Sequence, residues 1–585
     1  MGDSSSRVAY FMQLFNQVRS RRLTFEAQWE ESAALCWPEY RNSFTYGHVR
    51  AAGAKYTQVQ IDSTGSICAH RFMSICDALL TPWNMLWSQV EASNKDLMKD
   101  RDAKIYFHDV TQALWASRYR AESNFMGQQQ QNWQALGVFG NQGMLTDMLD
   151  PSPGQMVPGL RYMSLSPGEL YVLQNHQGRV DGFIRHFRWS PRQAYQRWGD
   201  AIPPVLRAAM EKNSQQLYDF LQFVLPRTDY DPFKIFSNQG KAWSSTYISV
   251  TGYNILEEGG YRTFPLAFGR YQQAPEEEYG RGPAQMVLPE LKTLNATKGL
   301  FLKQGHRAVD PALMIGDDGL MDFKNHPGSF NYGGFTADGK LLVAALPHGE
   351  IQVSKEMQDA STQIINDAFL TTLFPLLFDA KGAQKSAREV IEQANEKGIF
   401  LAPTLGRQYG EYLGTMIDRE LDLLSYMGQL PKPPQSVLDA KDDYKIVYTS
   451  PLARALSGQA IGGYMRTVQM ANEVVQVTGD PALMDIFDFD AAFPAIAGEQ
   501  FVPPTWMASP QKIAQKAKNR AAALKRDQDV KALPGLAAKA KADAIVAKAQ
   551  TGGNTGGTLS GTPQGGMPMM PGQSQPGGSP FGTPS

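Results

Sequence analysis

Three cysteines cannot staple a chain of 585 residues, and Cys36, Cys68 and Cys76 form no CxxC pair. A disulfide scaffold is thereby excluded, and buried free thiols made in a reducing cytoplasm are expected. Charge of either sign is equally scarce: 56 Lys and Arg stand against 57 Asp and Glu, a net of -1. A basic domain that grips phosphate through counterion release is not indicated by these totals, so any DNA contact is expected to be loose or local. No stretch approaches the ~18 apolar residues that cross a bilayer. The opening MGDSSSRVAYFMQ lacks a cationic segment before an apolar core, so neither a signal peptide nor a membrane protein is expected. The eight His include no HExxH, and no GxSxG elbow is present, which leaves nucleophilic catalysis without visible apparatus.

What is abundant is aromatic surface. Ten Trp and 23 Tyr contribute to 11% aromatic residues, with 42% hydrophobic and 19% charged overall. This fits a large folded protein rich in contact surfaces, either core or interface. The length implies roughly three or four compact units.

Apolar positions at helical spacing (Phe11, Leu14, Phe15, Val18, Phe25, Trp29, Ala33) predict a helix or helix pair over 7–35, ended by Trp37-Pro38. A second helix is expected over 63–80, then a strand over 83–90, then helix again from 100 to 139 up to Gly140. From 144 to 270 short alternating runs punctuated by Gly, Pro and Asp predict strands, interrupted by a helix over 191–213 capped by Ser190-Pro191. Tyr279-Gly-Arg-Gly-Pro283 reads as a sharp turn into a helix reaching about 306. Residues 307–350 read as a small β-rich insertion, with helices resuming over 353–378 and 386–427. Residues 511–550 hold 13 Ala, 10 Lys or Arg and 3 Asp. They favour helix but lack large side chains for a core, and Pro534-Gly535 is expected to break the helix in two. The last 35 residues, with 11 Gly, 6 Pro and no charge, read as a disordered tail. The fold class is α+β.

Several patterns mimic chemistry. Gly334-Phe-Thr-Ala-Asp-Gly339-Lys340 matches the phosphate-cradling GxxxxGK, but Leu341 stands where Ser or Thr would hold magnesium, and a glycine-rich hairpin turn is the plainer reading. Asp317-Asp318 suits a turn better than a metal site, because neighbours on a strand point opposite ways. Asp485, Asp488 and Asp490 are similarly ambiguous. Cys68, His70 and Cys76 lack the further ligands that a closed zinc site needs. No metal or cofactor is expected.

Blocks along the chain resemble the portal, or head-to-tail connector, proteins of short-tailed, T7-like bacteriophages. They are Thr24-Phe-Glu-Ala-Gln-Trp29, Asp62-Ser-Thr-Gly with Leu79-Leu-Thr-Pro82-Trp83, Tyr279-Gly-Arg-Gly-Pro-Ala284 with Leu288-Pro-Glu-Leu291-Lys-Thr-Leu294-Asn295, Ser386-Ala-Arg388-Glu389-Val390, Tyr448-Thr-Ser-Pro451 and Gly479-Asp480-Pro. Their shared order across residues 10 to about 510 carries the resemblance. Gly382-Ala-Gln-Lys385-Ser-Ala departs from the Arg-Thr-Ala type of turn that the family favours.

The resemblance implies a non-enzymatic dodecameric ring at one capsid vertex of the virion, assembled in the host cytoplasm. Its regions would be a wing (1–278), a stem helix (279–306), a clip (307–352), a return stem helix (353–380), a channel-facing turn with wing and crown helices (381–505), crown helices (506–550) and a disordered tail (551–585). Its implied partners are further copies of itself, the terminase large subunit, tail adaptor and nozzle proteins, capsid and scaffold proteins, and non-specific double-stranded DNA in the channel. Lys381, Lys385 and Arg388 would lie near a channel constriction, or else mark a solvated helix start. Asp317, Asp318 and Phe323 would lie on the clip, where partners dock. The competing expectations are a soluble nucleotide-using enzyme built on the 334–340 loop, and another phage head or tail protein such as a scaffold or adaptor.

Overall fold

The computed structural model describes residues 2–44, 53–54, 56–149, 158–234, 237–315, 351–372, 405–440 and 443–478, short pieces within 324–345 and 485–508, and the helix 510–551. Two compact units divide at residue 506.

The first unit begins with one helix, α1 (Gly2–Cys36). One stripe along it serves two cores. Val8, Phe15 and Val18 pack on a five-stranded sheet, while Trp29, Ala33 and Cys36 enter the main core. The helix α2 (Thr64–Leu80) follows as expected. Strand β1 is shorter than its pattern suggested, spanning Ser88–Ala92, because Trp83 lies 64% exposed in a preceding turn. The expected 100–139 helix is two: α3 (Arg101–Arg118) and α4 (Phe125–Phe139). Asn124, at φ 54°, adopts the left-handed conformation that breaks them apart.

Strands β2 (Asn141–Leu149), β3 (Gly159–Ser164) and β9 (Leu266–Arg270) make a three-stranded sheet in the order β3-β2-β9. Strands β4 (Leu170–Gln174), β5 (Val180–Trp189), β6 (Tyr218–Pro226), β7 (Trp243–Ser249) and β8 (Asn254–Tyr261) form an antiparallel meander. Side chains alternate across a strand, so each of its faces has its own core. Ile184, Leu221, Phe223 and Ile248 face α1, whereas Phe187 and Phe220 meet Ala194, Trp198 and Leu206 on the opposite side. Those last three come from α5 (Pro191–Trp198) and α6 (Pro204–Glu211), which replace the single helix expected over 191–213. Ser190 caps α5 through a reciprocal bond pattern with Gln193, Gly199 at φ 52° ends it, and Pro204 opens α6 at its first position.

The turn after Tyr279 leads into α7 (Pro283–Met286) and α8 (Leu288–Val309), separated at Val287. Strands β10 (Leu313–Ile315) and β11 (Val343–Ala345) pair antiparallel and form the described legs of the expected β-rich insertion. Helix α9 (Ile351–Ala368) returns along α8, with the Ser361 hydroxyl donating to Glu290 at 2.9 Å. The chain then re-enters the first core. Residues 405–424 contribute Tyr412, Met416, Ile417 and Leu424, and strand β12 (Tyr444–Tyr448) pairs with β1, Ser88 opposite Tyr448. The helix Pro451–Thr478 follows.

Deep in this closure lies a buried ion pair that joins the two chain passes. Arg118 at the end of α3 donates through Nε to Glu420 at 3.1 Å, the Tyr162 hydroxyl of β3 donates to the same carboxylate at 2.5 Å, and all three residues are buried. The Arg118 guanidinium also lies 4.3 Å from the Trp87 ring centroid. Burial opposes the charge on Arg118, but Glu420 beside it holds its pKa above the ordinary range. Burial, reinforced by the Glu420 charge, keeps the Tyr162 phenol protonated well above its usual pKa.

The second unit is described only as the helix Pro510–Thr551. Pro534-Gly535 does not divide it. One missing N–H among 42 residues is outweighed by Ala-rich flanks of high helix propensity. The expected disordered tail lies outside the described residues.

Removing either partner of a buried pair strands the other charge and costs about 3–5 kcal/mol. Arg118→Met and Glu420→Leu are each expected to lower the urea midpoint of the first unit, and the double substitution to recover part of the loss. Single variants as stable as the parent would show that the pair does not hold the two passes together.

Candidate functional site

The element that positions the start of α7 and α8 is a close backbone crossing. Helix α4 ends on Gly140, whose φ of 70° is the left-handed conformation glycine adopts without penalty. Against it lies the turn Tyr279-Gly-Arg-Gly-Pro. A Cβ on Gly140 would sit 2.3 Å from the Gly282 nitrogen, and a Cβ on Gly282 would sit 2.8 Å from the Leu136 carbonyl oxygen. No side chain fits at either position. Asn141 bonds both ways across the crossing, accepting from the Gly280 N–H at 2.7 Å and donating to the Gly280 carbonyl at 3.0 Å. Tyr279 fixes the turn from below. It is buried against Phe25 and Trp29 with ring centroids at 5.3 and 5.2 Å, and its hydroxyl accepts from the Val172 N–H at 3.2 Å. Burial pushes the Tyr279 phenol pKa up.

The base of α8 is gripped a second time. Asn295 accepts from the Ile61 and Asp62 N–H groups at 2.7 and 3.1 Å and donates to the Val59 carbonyl at 3.0 Å, which clasps the 57–62 loop. Leu291 and Leu294 on the same helix are buried in the main core. Arg22 performs a similar task for α1. Fully buried, it donates to the carbonyls of Pro167 at 2.8 Å, Leu170 at 2.9 Å and Gly168 at 3.2 Å while lying 3.5 Å from the Tyr171 ring centroid. Sequence reasoning missed Arg22 and Asn141. The signal for Arg22 was its i+4 spacing to Glu26, which bonds it at 2.8 Å, but spacing does not show burial.

A cleft of about 1030 Å³ lies between the β4–β5 turn, β9 and residues 406–418. Glu411 sits between two guanidiniums in its wall, accepting from Arg407 Nε at 2.8 Å and from Arg270 Nη2 at 3.1 Å. The two cations offset the Glu411 carboxylate. Among the described residues, no group of three His, Cys, Asp or Glu is placed to hold a metal. Cys36, Cys68 and Cys76 are buried free thiols, and burial pushes the Cys68 thiol up to about 11 and the other two higher.

The phosphate-loop pattern does not fold as one. Phe335 and Leu341 form an antiparallel bridge, Gly339 adopts φ 77°, and strand β11 follows Leu341 in place of a helix. Without a helix N-terminus the backbone N–H groups do not converge on a phosphate. The hairpin reading holds. Lys381, Lys385 and Arg388, and likewise Asp317, Asp318 and Phe323, lie outside the described residues.

The crossing makes a direct demand. Gly282→Ala is expected to destabilise by about 1–3 kcal/mol through overpacking, and Gly140→Ala by more because left-handed strain adds to the clash. Thermal unfolding measures both. Variants that melt with the parent would disprove the close approach.

With this geometry in place, the chain can be set beside known proteins. A family model described as "Bacteriophage head to tail connecting protein" matches residues 9–507. The "Probable portal protein" of Bordetella phage BPP-1 is 24% identical over 555 residues, covering 91% of this chain and 96% of its own. The "Portal protein" of Salmonella phage epsilon15 is 24% identical over 498 residues, covering 84% of this chain and 86% of its own. Among solved structures, "Virion of native gene transfer agent (GTA) particle" aligns over 72% of this chain and 91% of that one at 13% identity, with a TM-score of 0.33. "Neck of empty GTA particle computed with C6 symmetry" aligns over 72% and 92% at 13% identity, with a TM-score of 0.34. Since the family model spans all but the first eight residues of the first compact unit, the chain belongs to the bacteriophage head-to-tail connecting proteins, structural components of the virion vertex.

Proposed function

We propose that copies of this chain close into a ring, twelve in number by the family resemblance, that forms the DNA conduit at the capsid vertex for packaging and ejection. The observation that carries this reading is the collinear family match over 9–507, alongside portal relatives aligned over nearly their full lengths. In this assignment the wing is 1–278 together with returning residues of 381–505, the stem is 279–306 and 353–380, the clip is 307–352 and the crown is 506–550. Two antiparallel helices, α8 and α9, joined through the β10–β11 hairpin supply what a stem and clip need. The glycine crossing sets the angle at which α8 leaves the wing.

The role is structural, without turnover. The clip, with Asp317, Asp318 and Phe323, would dock the terminase large subunit during packaging and the adaptor and nozzle proteins afterwards, while capsid and scaffold proteins surround the wing. Lys381, Lys385 and Arg388 would brush DNA phosphates at a constriction without reading bases.

Ring closure by one repeated chain requires a heterologous interface, in which two different faces of each copy meet. Negative-stain images of the purified protein are expected to show closed rings, and light scattering a mass many times that of one chain. Monomers or dimers with no rings would overturn the proposal. Lys340→Ala is expected to leave any nucleotide hydrolysis at background, and a measurable activity lost on that substitution would favour the enzyme instead.

A further inference from the structure

We propose that the helix Pro510–Thr551 is a contact for double-stranded DNA, made through phosphates alone. The inference rests on the connector reading, because that role brings DNA to the ring, but it is carried by how charge is distributed along this chain. The helix holds ten Lys or Arg and three Asp, a net of +7; since the whole chain is -1, everything outside the helix sums to -8. The balance near zero is an average over two opposed parts.

Residues 511–526 concentrate the effect. They contain Lys512, Lys516, Lys518, Arg520, Lys525 and Arg526, no Asp or Glu, and only Ile513 and Leu524 as large apolar residues. All sixteen are exposed, Ile513 at 56% and Leu524 at 63%. Lys512, Lys516 and Arg520 follow one another at i, i+4 and i+8, so they stand in line on one face. Like charges at that spacing destabilise a helix by a few tenths of a kcal/mol per pair. The intervening Ala side chains let a polyanion come close, and at 1.5 Å per residue the helix reaches about 63 Å, long enough to lie across many phosphates.

Other occupants fit worse. A hydrophobic core or a membrane face needs a continuous apolar stripe, which Ile513 and Leu524, the two large apolar residues of 511–526, do not make. Self-association would gather +7 from every copy, and each added copy would raise the repulsion unless phosphates neutralised it. A duplex supplies that neutralisation and offers a regular phosphate ladder with no need for base contacts.

The test uses full-length rings and a labelled 30-base-pair duplex of mixed sequence, with binding followed by anisotropy from 50 to 200 mM salt. Three proteins are compared: the parent, a variant with all six cations of 511–526 replaced by Gln, and one with the Lys and Arg exchanged for each other. Each phosphate contact contributes about 0.9 to the slope of log affinity against log salt. The Gln variant is therefore expected to lose about 3 to 5 from that slope and at least tenfold in affinity at the lower salt. The exchanged variant should bind like the parent, and AT-rich and GC-rich duplexes should bind within about threefold of each other. An unchanged slope in the Gln variant sinks the proposal. So does a Gln variant that no longer forms rings while the parent does, since the helix would then be an assembly element. A parent that forms no rings at all would instead refute the connector reading.

Discussion

The architecture depends on one constraint, the approach of two backbones at Gly140 and Gly282 to a distance that admits no Cβ. Hydrophobic burial holds the wing together but is non-directional, and it does not aim a helix. The crossing does. It places the α4 terminus, the Tyr279 turn and the start of α7 within hydrogen-bond reach, and Asn141 completes the joint. Because α8 leaves from that joint and is held again by Asn295, the departure angle of a long helix is set by glycines that bury almost no surface. Tyr279 and Arg22 serve the same end from the other side, tying the joint to α1 and to the β4 turn.

The second organising feature is that the first core is discontinuous in sequence. The chain leaves the first core at α8, returns at α9 and closes it with residues 405–448, so Ser88 pairs with Tyr448 and Arg118 with Glu420. Anything transmitted along α8 and α9 therefore reaches a core that both passes share. Phe369, just beyond α9, lies against Phe72 of α2, and Tyr412 of the return packs on Trp133 of α4. A buried pair such as Arg118–Glu420 is weak as a source of stability but strict as a matching device, since either partner alone is costly.

Much of this fold is legible in the sequence. Periodicity locates α1, α2 and α8, and the Gly and Pro punctuation marks the strands of 144–270, because those signals are local. The failures are local as well. Asn124 stands between two helices whose apolar pattern runs on as one, Gly199 ends another helix early, and Pro534 fails to split a third. In each, backbone conformation and helix propensity compete at nearly equal strength, and tertiary contacts or flanking Ala decide. Partnerships across 302 residues, such as Arg118 with Glu420, leave no mark in spacing. The resemblance to the connectors is legible because it lies in the order of blocks. The residues it assigns to the channel and the clip carry no comparable local pattern.

Net charge misleads in a more instructive way. A total near zero argues for a conduit that does not hold its cargo, because tight phosphate contacts would stall movement. The total is not what DNA meets, however. A polyanion responds to charge within about a Debye length, roughly 10 Å at 0.1 M salt, which is far shorter than a helix of about 63 Å. At that range the chain presents two surfaces, a body of net -8 and a helix of net +7. In the proposed contact the attraction is sequence-blind and salt-screened, and it is set by the local run of cations on that helix, not by the near-zero total.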